Sequence, residues 1–204
     1  MEKVGQLQLL KMLTLCDTTC LLMLIRMAPE MFIDERFRCC TIHLVRNEII
    51  RTQKFAEKYP WRNEYKDKIR CLSNDFTKDE GRNRYFEAIH SLIENITINE
   101  KNGNLFDLSY ADQEFLSYAL ANGFRITTGD KSLRDFALQE FKREFKGNIS
   151  PLGMINEWIE KGLIKWNDQM HDFLTQWKAK NEHPQPRKQI IKFERLTSRN
   201  YPGN

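Results

Sequence analysis

The stretch RITTGDKSLRDFA, residues 125–137, decides how the chain is read. A short β-branched run, Ile126, Thr127 and Thr128, passes through Gly129 and Asp130 into a segment with Leu133, Phe136 and Ala137 at helical spacing. β-branched residues suit a strand, and apolar residues three and four positions apart suit a helix, so the reading is strand, turn, helix. Asp130 then stands at the mouth of the helix. An aspartate there serves as an N-cap or as a carboxylate presented to a ligand.

The same arrangement occurs upstream. KMLTLC (11–16) reads as a buried strand and CLLMLIRM (20–27) as a helix packed on it, with Asp17 and Thr18 at the junction. From Thr41 onward, Ile42, Val45, Ile49 and Ile50 fall near helical spacing, with Glu48 on a different side from Val45 and Ile49. YPWRNEYKDK (59–68) reads as a loop, and 84–95 as an amphipathic helix that leads to a turn at Asn102-Gly103. In LSYADQEFLSYALANG (108–123), Ser109 is the expected N-cap, Phe115, Leu116, Ala119 and Leu120 form the apolar stripe, and Asn122-Gly123 stop the helix. Strands alternating with helices predict an α/β fold, a parallel sheet flanked by helices on both faces.

Beyond this unit, residues 1–149, Ser150-Pro151 is a cap followed by proline at the first helical position. Residues 150–177 are expected to form a C-terminal helical hairpin on the same domain. One helix would carry Met154, Ile155, Trp158 and Ile159 inward, the other Met170, Phe173, Leu174 and Trp177. Residues 178–204 form a basic tail: Lys178, Lys180, Arg187, Lys188, Lys192, Arg195 and Arg199 stand against Glu182 and Glu194. That surplus of five leaves the remainder of this +4 chain at −1, so the basicity is local. Such an arm suits phosphate contacts, and a solvated, partly disordered terminus is the plainer expectation. Alternatively IIKFERL (190–196), with alternating apolar residues, adds an edge strand to a partner or to a second copy in a homodimer.

A length of 204 residues with 41% hydrophobic content supports one sizeable core. The longest apolar stretch, Leu13 to Ile25, is broken by Asp17 and by threonines, which does not fit a membrane span or a signal-peptide core. A cytoplasmic location is expected. The five cysteines, Cys16, Cys20, Cys39, Cys40 and Cys71, lie in roughly the first third and include no Cys-x-x-Cys pair, so buried thiols are favoured over zinc or a disulfide framework. No glycine-rich phosphate loop is present, and no Ser-His or Cys-His pairing is suggested.

The acids remain. Groups that follow parallel strands gather beyond the carboxyl ends of the sheet, so Asp17 and Asp130 should reach one edge. Asp112, in the first turn of the helix before the last strand, and Glu48 would converge there under ordinary packing. Carboxylates brought together raise each other's pKa unless a cation balances them. Mg2+ or Mn2+ suits an all-oxygen site and can activate water against a phosphate. Singly, each acid would more often be a cap or a surface charge.

LTLCDTTCLL, VRNEI, LSYADQEFLSYALANG and RITTGDKSLRDFA together resemble the successive motifs of the PIN domain, over residues 11–141. The resemblance implies a PIN-like fold in which Asp17, Glu48, Asp112 and Asp130 are the catalytic, metal-holding acids. Thr128 supports Asp130, and Thr18 is the matching polar residue beside Asp17. Glu57 and Glu64 compete with Glu48 if the helix register differs; Asp107 reads as part of the approach loop and Asp135 as a helix-surface residue. The implied activity is divalent-metal-dependent hydrolysis of RNA phosphodiesters, with an antitoxin or other inhibitory protein as partner if the chain resembles the toxin members. The alternative is a PIN scaffold that binds nucleic acid or protein with little or no catalysis.

Overall fold

A computed structural model describes residues 13–72, 79–182 and 185–202; Lys11 and Met12 of the expected first strand lie outside them. The chain forms an α/β fold. Its elements are β1 (Thr14–Cys16), α1 (Thr18–Leu24), β2 (Cys39–Cys40), α2 (His43–Arg51), α3 (Gln53–Lys58), α4 (Asp79–Glu94), α5 (Tyr110–Asn122), β3 (Arg125–Thr127), α6 (Lys131–Glu140), α7 (Pro151–Glu160), α8 (Asp168–Ala179) and α9 (Arg187–Thr197). The segment read as the loop 59–68 contains a 3-10 turn, Pro60–Tyr65.

The strands are parallel and ordered β2-β1-β3, with Leu15 opposite Ile126 and both side chains fully buried. Single parallel bridges extend the sheet outward, from Thr41 to Cys71 on one side and from Ile126 to Asn148 on the other. Backbone bonds continue these bridges: Leu72 N–H donates to Thr41 O, and Ile149 N–H to Ile126 O. Five segments thus lie side by side, with the earliest at the centre, the next two running out to one side and the last two to the other. The direction of winding reverses between β1 and β3, which makes the gap beyond their carboxyl ends the topological switch point of the sheet.

Local chemistry explains the elements that flank this gap. Ser109 and Asp112 close a capping box at the start of α5, with the Ser109 side chain accepting from Asp112 N–H and the Asp112 carboxylate accepting from Ser109 N–H. Gly123 ends the helix at φ 64°, a left-handed conformation that glycine adopts without a Cβ clash. Arg125 then ties three elements together: its Nε donates to Thr14 Oγ1 at 2.6 Å and its two Nη atoms clasp Glu157 of α7 at 2.7 and 2.6 Å.

One hydrophobic core runs from β1 and α1 through α5 and α6 to Trp158, Leu174, Trp177, Phe193 and Tyr201. The last two residues correct the reading of 178–204 as a solvated tail. Residues 187–197 are helix rather than edge strand, with Phe193 fully buried against Trp166. The helix α9 packs on α7, which packs on α1. Among the described residues no helix is long and apolar enough to cross a membrane. Cys16, Cys20 and Cys40 are buried free thiols, and no described cysteine is in a disulfide.

Candidate acidic site at the strand ends

Asp17 leaves β1 with extended geometry and caps α1, its Oδ1 accepting from Cys20 N–H at 2.6 Å. Asp130 does the same after β3, its Oδ1 accepting from Leu133 N–H at 2.9 Å. The two caps are joined across the switch point. Thr128 Oγ1 accepts from Asp130 N–H at 3.0 Å, and the next residue, Gly129, donates its N–H to Asp17 Oδ2 at 3.4 Å. Thr128 is itself held by Asn148, whose Oδ1 accepts from Thr128 N–H at 2.9 Å.

Asp112 reaches the same edge because α5 runs antiparallel to the strand that follows it. Its carboxyl is pushed up by burial, with the like charges of Asp130 and Asp107 adding to the rise and the Ser109 hydroxyl opposing it. Asp17 is also pushed up by burial, against the opposing effect of the polar groups of Thr128, Cys20 and Gly129 around it. Glu48 lies on the exposed side of α2 while Val45 and Ile49 are buried, and its carboxylate accepts from the Thr18 hydroxyl. That contact joins Glu48 to the residue after Asp17, whereas Glu57 meets the side chain of Gln53 on its own helix. Asp135 differs from its expected surface position: it is buried in α6 and bound by Lys101, which holds its carboxyl below the usual range against the opposing effect of burial.

Asp17, Asp112 and Asp130 therefore neighbour one another at one edge, and Glu48 flanks them through Thr18. The all-oxygen donor set suits a hard divalent cation. Their side chains, however, do not close on one point: among the described residues no group of three or more His, Cys, Asp and Glu is arranged to hold a metal ion. The caps account for this separation, since each draws a carboxylate toward its own helix. A cap engages only part of the acceptor capacity, as with Asp130, which caps through Oδ1, and a carboxylate has two oxygens.

Asp107 belongs to this neighbourhood more closely than an approach-loop residue need. The signal was present in Phe106-Asp107-Leu108, where both apolar neighbours are buried and Asp107 points outward. Of the seven basic residues beyond 177, Lys192 pairs with Glu160 and Arg199 with Asp168, each at 2.6 Å. Lys180 donates to the Lys58 carbonyl and lies 4.8 Å from the Tyr59 ring centre, and Lys178 is also engaged. No family model, curated protein or solved structure matches the chain.

Proposed function

We propose that the chain is a PIN-like, divalent-metal-dependent ribonuclease that hydrolyses RNA phosphodiester bonds at the edge formed by Asp17, Glu48, Asp112 and Asp130. The observation that carries this reading is the pairing of Asp17 and Asp130 across the switch point, each after a parallel strand and both tied to the Thr128-Gly129 turn. In a doubly wound sheet that gap is where ligands bind. The four acids would hold Mg2+ or Mn2+, which supplies an acidified water and balances charge on the phosphate. The chain's own contribution is placement. The N–H groups of Cys20 and Gly129 orient Asp17, the capping box orients Asp112, and Thr18 orients Glu48.

A second reading, a PIN scaffold that binds RNA or protein without appreciable catalysis, is favoured by the lack of a three-ligand group among the described residues. Incubating the purified full chain with a labelled single-stranded RNA in Mg2+, in Mn2+ and in EDTA separates the two. Cleavage that requires either cation, and is lost in Asp17→Asn and Asp130→Asn proteins of unchanged melting temperature, is expected. An intact RNA in both cations overturns the nuclease reading.

A further inference from the structure

An acidic edge repels the phosphates on either side of the bond it cleaves, so a nuclease of this design needs cations nearby. We infer that the outward face of α9, through Arg187, Lys188 and Arg195, holds the backbone of single-stranded RNA as it leaves the acidic edge; this inference rests on the function proposed above. The placement follows from the sheet. Asn148 lies beside Ile126 in parallel register and Ile149 N–H donates to Ile126 O, so Ser150 and the first turn of α7 emerge at the same carboxyl edge as Asp17 and Asp130, on the far side of Asp130 from Asp17.

The start of α9 is fastened to that first turn. Leu152 N–H donates to Gln185 Oε1 at 3.1 Å, and Asn156 Nδ2 donates to both Gln189 O and Gln189 Oε1 at 2.9 Å. Gly153 permits the close approach, since a Cβ there would meet Ile149 Cγ1 at 2.9 Å and Gln189 Cδ at 3.3 Å. Further along, Lys192 meets Glu160 at the end of α7, so the two helices run in parallel away from the edge. Arg187 and Lys188 are therefore the cations of α9 nearest the acids. Arg195 lies two turns beyond, about 12 Å along the axis.

The chemistry of the face divides the seven cations. With Lys180, Lys192 and Arg199 bound within the chain, Arg187, Lys188 and Arg195 are exposed and make no ion pair among the described residues. Arg187, Ile191 and Arg195 form one stripe at four-residue spacing, opposite the buried Phe193, and Ile191 is 58% exposed. A stripe of cations around one apolar side chain complements a phosphate backbone. Its contribution is electrostatic and sequence-independent.

The test is equilibrium binding of a labelled oligouridylate to the full chain in EDTA across a salt series, followed by cleavage in Mg2+. Arg187→Gln/Lys188→Gln/Arg195→Gln should bind severalfold more weakly at low salt. Its log K against log salt should be shallower by about 2, since each phosphate neutralised on a single strand adds about 0.7 to the slope. A charge-matched control at exposed sites elsewhere, Arg51→Gln/Lys54→Gln/Lys66→Gln, should keep the wild-type slope. Unchanged affinity and slope in the α9 variant, or an equal weakening in the control, overturns the inference. So does a changed oligomeric mass with RNA binding intact, which would make this face a protein contact. Salt-dependent binding without cleavage by the wild type defeats the nuclease reading and leaves the cationic face standing; cleavage without an effect of the α9 variant does the reverse.

Discussion

The Thr18 hydroxyl donates to the Glu48 carboxylate, which ties α2 to the residue directly after Asp17. This contact brings Glu48 of α2 to the acidic edge, whereas Glu57 lies on α3 and meets Gln53 there. Glu48→Gln should reduce RNA cleavage at least tenfold, a loss of about 1.4 kcal/mol in transition-state stabilisation, while Glu57→Gln leaves the rate within twofold. Equal rates for the two variants would remove Glu48 from the site.

Asp17→Asn keeps a capping side chain, because asparagine caps helices as well as aspartate, and it removes a charge that burial already disfavours. The metal-free variant should melt no lower than the wild type and should lose Mg2+-dependent activity. Melting scans with and without Mg2+ provide the check: a cation-induced rise in the wild type that persists undiminished in the variant would show that Asp17 does not bind the ion.

The Arg125 clasp holds the Glu157 carboxyl below its usual range, with burial opposing and the remaining cations helping. A depressed carboxyl contributes stability above its unfolded pKa of about 4.3 and loses it as pH falls through the lower folded value. Glu157→Gln should cost about 1 to 2 kcal/mol at neutral pH, since the pair is partly buried and charge-assisted. Urea unfolding from pH 7 down to 3 should show the gap between variant and wild type closing in acid. A gap independent of pH would mean the loss is one of packing.

Phe193 tests whether α9 belongs to the domain. Removing a fully buried aromatic ring should cost about 3 to 5 kcal/mol, visible as a lower midpoint of a single denaturant transition. A detached tail would leave the transition where it was. By the same reasoning, cutting the chain after Trp177 removes core as well as charge, so point variants are the cleaner probe of the basic face.

Much of this arrangement is legible in the sequence because it is local. The short runs before Asp17 and Asp130 have strand chemistry, and Ser109 with Asp112 has the signature of a capped helix. Periodicity alone places Glu48 on a different side of α2 from Val45 and Ile49. The outer sheet segments are not legible, since Cys71 and Asn148 enter by single bridges that leave no alternating pattern. In IIKFERL, Ile191 and Phe193 suggest alternation while Ile190 and Phe193 suggest a helix. Only the surface of α7, remote in sequence, decides between them. The burial of Asp135 is hidden for a similar reason: its cover is Lys101, from a turn 34 positions earlier.

The central position of β1 also bears on how the molecule is made. Thr14 acquires its contact with Arg125 only after 111 more residues have been synthesised. At about 5 to 20 residues per second, one flank of the innermost strand stays unpaired on the nascent chain for roughly 5 to 20 s, with fully buried Leu15 and its neighbours not yet covered. Pairings this distant in sequence slow folding and expose a chain to aggregation. Refolding yield from denaturant should accordingly fall with protein concentration and recover when a chaperone shields the emerging strand.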